Sequence, residues 1–232
     1  MPTGAKAIIA PHAGFRYSAP YAAYAYAPLA SPPPAPAPVA AGVAASGGSG
    51  AVPGAAVPVI TRVVMLGPSH HKFIDGVAVS GAHTFETPVG NLRVDMGALR
   101  DVAAKTRCAV LTQSVDEEEH SLEMQAPFVA RALQRRAGSG GGDDALAGVS
   151  VVPILVGRLT GKLPLAAVVD ALLPLLADPA TLVVISSDFC HWGERFDFTN
   201  YDAGAVAAKG RAGIIADGIE AMDRRGMAVR ML

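Results

Sequence analysis

Four short apolar runs, rich in β-branched residues, decide what kind of fold this chain can adopt. They are Ala7 to Ala10, Val63 to Leu66, Val149 to Val156 and Leu182 to Ile185. Each is short for a helix and lacks the alternation of a half-exposed strand, so each reads as a buried strand. Helical stretches lie between them, Met96 to Lys105 and Leu165 to Leu176 among them. That order predicts an α/β fold: a mixed, largely parallel sheet covered by helices on both faces.

Three of these strands end in the same way. The first runs through Pro11 into His12, the second through Gly-Pro-Ser into His70 and His71, and the last through Ser186 and Ser187 into Asp188-Phe-Cys-His191. Four of the six histidines therefore follow strand ends, where open α/β sheets place their ligands. His12, His70 and His191, with Asp188, have the composition of a metal site. Two imidazoles and a carboxylate are the set that non-haem Fe(II) takes. The competing reading is a ring of hydrogen-bonded histidines around a polar pocket, and spacing alone leaves the two level.

The other candidates are weaker. Neighbours in extended chain point to opposite sides, which favours His70 over His71. His120 and Glu123 share a helix face and are either a ligand or acid–base pair or part of a solvated surface. His120, Asp188 and His191 are the candidate catalytic groups. Cys190 reads as a buried, inert thiol, Cys108 as core, and His83 as a loop residue.

Composition excludes several function classes. A net charge of -1 gives no electrostatic footprint for nucleic acid, and no apolar run reaches the roughly 18 residues of a spanning helix. With two cysteines there is no disulfide framework. The start leads directly into a strand without a signal-peptide pattern, so a cytoplasmic protein without membrane insertion is expected. Residues Ser31 to Pro58 are dominated by Pro, Ala, Gly and Ser and read as a disordered insertion within a single domain spanning 1–232. Smaller elements follow by the same reasoning: a helix over Tyr21 to Leu29, short strands at Asp75 to Ser80 and Asn91 to Asp95, and C-terminal helices over Ala203 to Ile215 and Ile219 to Arg230. Ser114-Val-Asp-Glu117 has a capping-box pattern, predicting a helix that runs to Arg136 with a kink at Pro127.

Six motifs carry a family resemblance: Pro11-His12-Ala-Gly-Phe-Arg-Tyr, Gly67-Pro-Ser-His70-His, Thr87-Pro-Val-Gly-Asn-Leu, Glu119-His120-Ser-Leu-Glu-Met-Gln, Val152-Pro-Ile-Leu-Val-Gly and Ser187-Asp188-Phe-Cys-His191-Trp-Gly. In this order they resemble the Memo family, the mediator-of-cell-motility group, whose prokaryotic relatives are protein B of the AmmeMemoRadiSam system. The resemblance runs from Ala5 to about Met227, outside the insertion. It implies a fold like the class III (LigB-type) extradiol dioxygenases and a pocket for iron or copper. His12, His70, Asp188 and His191 would line that pocket, with His120 nearby. It also implies signalling proteins or peptides as partners. Family members have a segment before the first strand and continue past Met227 into further strands and a pocket cysteine, so an incomplete chain is expected. The reading that follows is a redox or signalling effector without defined turnover. Its alternatives are an active non-haem iron, dioxygenase-like oxidoreductase and a peptide-binding adaptor with a vestigial site.

Overall fold

The computed structural model describes residues 5–30, 59–138, 144–159, 163 and 165–227; the expected insertion at 31–58 lies outside them. The apolar runs are strands: β1 (Ala7–Pro11), β2 (Arg62–Pro68), and, after shorter elements, Ser150–Val156 and Thr181–Ser187. Between β2 and Ser150–Val156 come four small strands and their helices. They are β3 (Val77–Val79), β4 (Thr84–Phe85), β5 (Leu92–Val94), α2 (Met96–Thr106), β6 (Ala109–Val110), α3 (Gln113–Glu118), α4 (His120–Glu123), α5 (Ala126–Ala137) and α6 (Asp144–Ala147). With α1 at Phe15–Tyr26 and α7 at Leu165–Ala177, the two long strands become β7 and β8.

The sheet order is β1-β8-β2-β7-β3-β6, with β5 beside the start of β7 and β4 paired to β5. Neighbours run parallel except for β3 against β7 and β4 against β5. The mixed, largely parallel α/β sheet expected from the sequence is therefore present. Ser150 to Leu155 are all buried, and successive strand residues face opposite ways, so both faces of β7 are covered. Helices α1, α4 and α5 pack together as one group, while α2 and α7 form another. Arg62, at the start of β2, ties the lower edge: its guanidinium reaches Asp95, the N-cap of α2, at 3.2 Å and Asp178, after α7, at 3.1 Å.

Several local expectations change. The first helix begins at Phe15, not Tyr21, because Ser18, Ala22 and Tyr26 form an inward stripe that pulls the preceding residues into register. Pro20 lies inside this helix on its exposed side, where it removes one backbone donor. The predicted helix over Ser114 to Arg136 is three helices. The Ser114 box does not form: Thr112 holds the N-cap of α3, and Glu119 is extended between α3 and α4. Pro127 kinks nothing, since it lies in the first turn of α5, where no N–H partner is needed. In the Cys108 run, Leu111 is core and Cys108 packs half-buried against it, while Ala109 and Val110 between them form an exposed edge strand.

The chain groups into two compact units, one ending at Ser187 and the other starting at Asp188. In the second, a 3-10 turn at Glu194–Phe196 precedes α8 (Ala203–Ala208) and α9 (Ile215–Met227). Asp202 caps α8 through the Ala205 N–H and pairs with Arg225 of α9. No described helix is long and apolar enough to cross a membrane.

Gly67 sets how closely α4 approaches β2. A Cβ there would lie 2.8 Å from both Leu122 Cδ2 and Ser121 Oγ. Gly67→Ala is expected to destabilise the chain by about 1–3 kcal/mol through overpacking, read as a lowered urea midpoint. An unchanged midpoint would show that α4 is not held against the strand.

Candidate metal centre

Three imidazoles meet at the carboxyl ends of the sheet strands in the first unit. His12 follows β1, His70 follows β2, and His120 opens α4. One ring nitrogen from each lies within 4.8 Å of the other two. Ring centroids are 5.1 Å apart for His12 and His70, 5.5 Å for His12 and His120, and 4.6 Å for His70 and His120. His12 is buried, whereas His70 is exposed and His120 half-buried. The cluster is thus closed at the sheet and open toward solvent.

Glu119 holds two of the rings. Its extended backbone separates α3 from α4 and points its carboxylate inward, where only 4% of the residue is exposed. It accepts from the His70 backbone N–H at 2.6 Å, His70 Nδ1 at 2.8 Å and the Ser121 N–H at 3.0 Å. His120 Nδ1 is 3.6 Å away. Burial pushes this carboxyl up, but the His70 ring and N–H and the Ser121 N–H outweigh it and hold it at about 2, against an ordinary 4.5. Glu119 is therefore ionised and accepts only, so His70 carries a proton on Nδ1, and the lone pair of its neutral form is on Nε2.

His12 is held differently. Its Nδ1 lies 2.8 Å from Ser186 Oγ at the end of β8. Ser186 also donates to the Ser121 carbonyl at 2.6 Å and accepts from Gln125 Nε2 at 2.9 Å. Gln125 donates through the same nitrogen to the Pro11 carbonyl and accepts from the Tyr26 hydroxyl, each at 2.9 Å. Burial pushes the Tyr26 phenol far above its ordinary range, so it stays a donor.

This donor set fits a transition metal. Three imidazoles suit iron, copper, zinc and nickel. Ligating histidines regularly donate their other ring N–H to a carboxylate or similar acceptor, as His70 does to Glu119. His71, exposed, stands outside with its ring 5.9 Å from that of His120.

The sequence candidates divide accordingly. His12 and His70 come together, and His120 joins them. Its carboxylate neighbour is Glu119, not Glu123. Asp188 and His191 belong to the second unit, where both are exposed and the His191 ring meets the Phe196 ring edge-on at 4.9 Å. Cys190 is exposed, not buried, and follows Phe189, which takes a left-handed conformation with φ 57°. Glu119, Ser186 and Gln125 are additional residues of the site. Their only sequence signal is adjacency to the histidine and strand-end motifs.

Beside Glu119 lies a cavity of about 590 Å³, walled by the loop after β3 with His83, by α3 and α4, and by Leu111 and Leu155. Glu86, Asp116, Glu117, Glu119 and Glu123 line it, without a lysine or arginine.

Glu119→Ala leaves the part-buried backbone and ring N–H groups of His70 and the buried Ser121 N–H without their acceptor. It is expected to cost about 3 kcal/mol, one desolvation penalty of roughly 1 kcal/mol per donor, in denaturant unfolding of the metal-free chain. Because the folded carboxyl titrates below the unfolded one, this stabilisation is complete above the ordinary Glu range and fades as pH falls toward 2. A cost below about 0.5 kcal/mol would show that the carboxylate is not the anchor described.

Comparison with known proteins now becomes informative. A family model described as Memo-like protein matches residues 41–230. The zebrafish (Danio rerio) Protein MEMO1 is 34% identical over 226 residues, covering 97% of this chain and 61% of the relative. Human Protein MEMO1 is 32% identical over 233 residues with the same coverage of each chain. The Caenorhabditis elegans Protein memo-1 homolog is 32% identical over 224 residues, covering 97% and 51%. The chain spans about half to three fifths of the length of these relatives.

Proposed function

The chain belongs to the Memo-like protein family, and on that premise we propose that its three-histidine cluster binds a transition metal, iron or copper, in a cytoplasmic redox or signalling effector. The observation that carries this reading is the convergence of His12, His70 and His120 with their ligand nitrogens within 4.8 Å. A bound iron or copper ion would supply one-electron redox chemistry. The chain's own contribution is to hold the rings. Glu119 orients His70 and draws toward His120, Ser186 orients His12, and the buried side of the cluster keeps water from His12.

The strand-end pattern of the sequence and the family resemblance put forward Asp188 and His191 as further ligands. The resemblance likewise suggests signalling proteins or peptides as partners. The ring-cleaving oxygenase alternative gains less support. A deprotonated catechol is an anion, and the cavity next to the cluster presents five carboxylates and no cationic side chain among its lining residues. An anionic substrate would meet like charge there.

Anaerobic titration with Fe(II), and separately with copper, tests the proposal. His12→Ala and His70→Ala are each expected to weaken binding at least about 10-fold, while His83→Ala, in the cavity wall, changes it less than about twofold. Asp188→Asn and His191→Ala in the same series decide whether that motif ligates. Equal effects of His83→Ala and His12→Ala would remove the proposed site.

A further inference from the structure

We infer that Ser186 is a positioning residue whose single proton is committed away from His12, so that the His12 ring is locked with hydrogen on Nδ1 and its lone pair on Nε2. The inference rests on the metal-binding reading for its purpose, but not for its chemistry.

The argument is one of hydrogen-bond polarity. A serine hydroxyl has one hydrogen and two lone pairs, and Ser186 Oγ has three close partners: Gln125 Nε2, the Ser121 carbonyl and His12 Nδ1. The Gln125 amide cannot be turned over, because its Nε2 faces the Pro11 carbonyl and its Oε1 faces the Tyr26 hydroxyl. A flip would set two acceptors, Gln125 Oε1 and the Pro11 carbonyl, against each other. Gln125 Nε2 is therefore a donor and occupies one lone pair of Ser186. Of the two partners left, the Ser121 carbonyl can only accept, and at 2.6 Å it must receive the hydrogen. Without it, two oxygens would face each other at that distance in a buried site. Ser186 then has only a lone pair for His12, and Nδ1 must be the donor.

The chain of donors also explains a geometric coincidence. Ser121 sits on α4 one residue after His120, so the Ser186 hydroxyl bonds both the His12 ring and the backbone that carries His120. One side chain at the end of β8 thereby sets the spacing of two cluster members. Glu119 applies the same polarity to His70 from the other side, so both rings offer Nε2. Two rings of the cluster are oriented for a common ion before any ion arrives, by groups that make no contact with it.

Histidine-selective 15N labelling of the full chain, metal-free at about pH 8 and so above the ordinary imidazole range, reads which nitrogen of each ring is protonated. His12 is expected to carry its proton on Nδ1. Ser186→Ala removes the acceptor, and the ring is then expected to populate the Nε2-protonated form. Zinc affinity, measured against a competing chelator, should fall about 10- to 100-fold, as for other partners of metal ligands. Tyr26→Phe is the control. It removes the outermost bond of the network, lowers stability, and should leave the His12 tautomer unchanged and zinc affinity within about twofold. An Nε2-protonated His12 in the unmodified chain overturns the inference, as does a Ser186→Ala chain that keeps both tautomer and affinity. If the tautomer behaves as described but zinc is not bound even by the unmodified chain, the lock stands and the metal reading fails.

Discussion

One buried carboxylate holds the functional end of this molecule together. Glu119 interrupts an otherwise helical segment so that its side chain can turn inward, where it takes up the Ser121 N–H of the next helix and the backbone N–H and ring of His70. A lone buried carboxylate is costly. This one is made favourable by three donors, and the low pKa of Glu119 is the sum of those bonds against burial. Removing it would free the loop after β2 and the start of α4 at once. Both carry cluster histidines.

The polar network around Ser186 does the corresponding task on the sheet side. It runs from Tyr26 on α1 through Gln125 to the ends of β1 and β8 and on to α4. Partly satisfied networks in a core are destabilising, whereas fully satisfied ones specify a single arrangement. Here all the named donors of Tyr26, Gln125 and Ser186 have acceptors. The sheet brings the strand ends side by side, and these two networks then fix which way each imidazole faces.

The long strands were legible because an unbroken β-branched run has few other uses, and His12 and His70 were legible because each follows such a run. His120 was visible only as a weaker candidate. Its partner was misread as Glu123 because the acidic stretch Asp116 to Glu119 resembles the solvated first turn of one continuous helix. A single extended residue inside that stretch reverses the conclusion, and no local propensity marks it. Ser186 and Gln125 could be noticed but not assigned, since their partners lie 61 to 174 residues away. Cys190 was expected inside and is exposed; it follows a left-handed Phe189, a backbone choice that phenylalanine does not advertise. The helix start at Phe15 was missed for a different reason. Burial of Ser18, Ala22 and Tyr26 on one face is a tertiary effect that carries the helix back past Tyr21.

The three imidazoles at the strand ends lie close enough together to hold a metal ion. The most direct measurement is anomalous diffraction from a crystal of the iron- or copper-loaded chain. A single strong peak is expected within roughly 2.0–2.2 Å of the Nε2 atoms of His12, His70 and His120, the range for imidazole ligation. A peak elsewhere, or one within reach of fewer than two of these rings, would contradict the three-histidine centre.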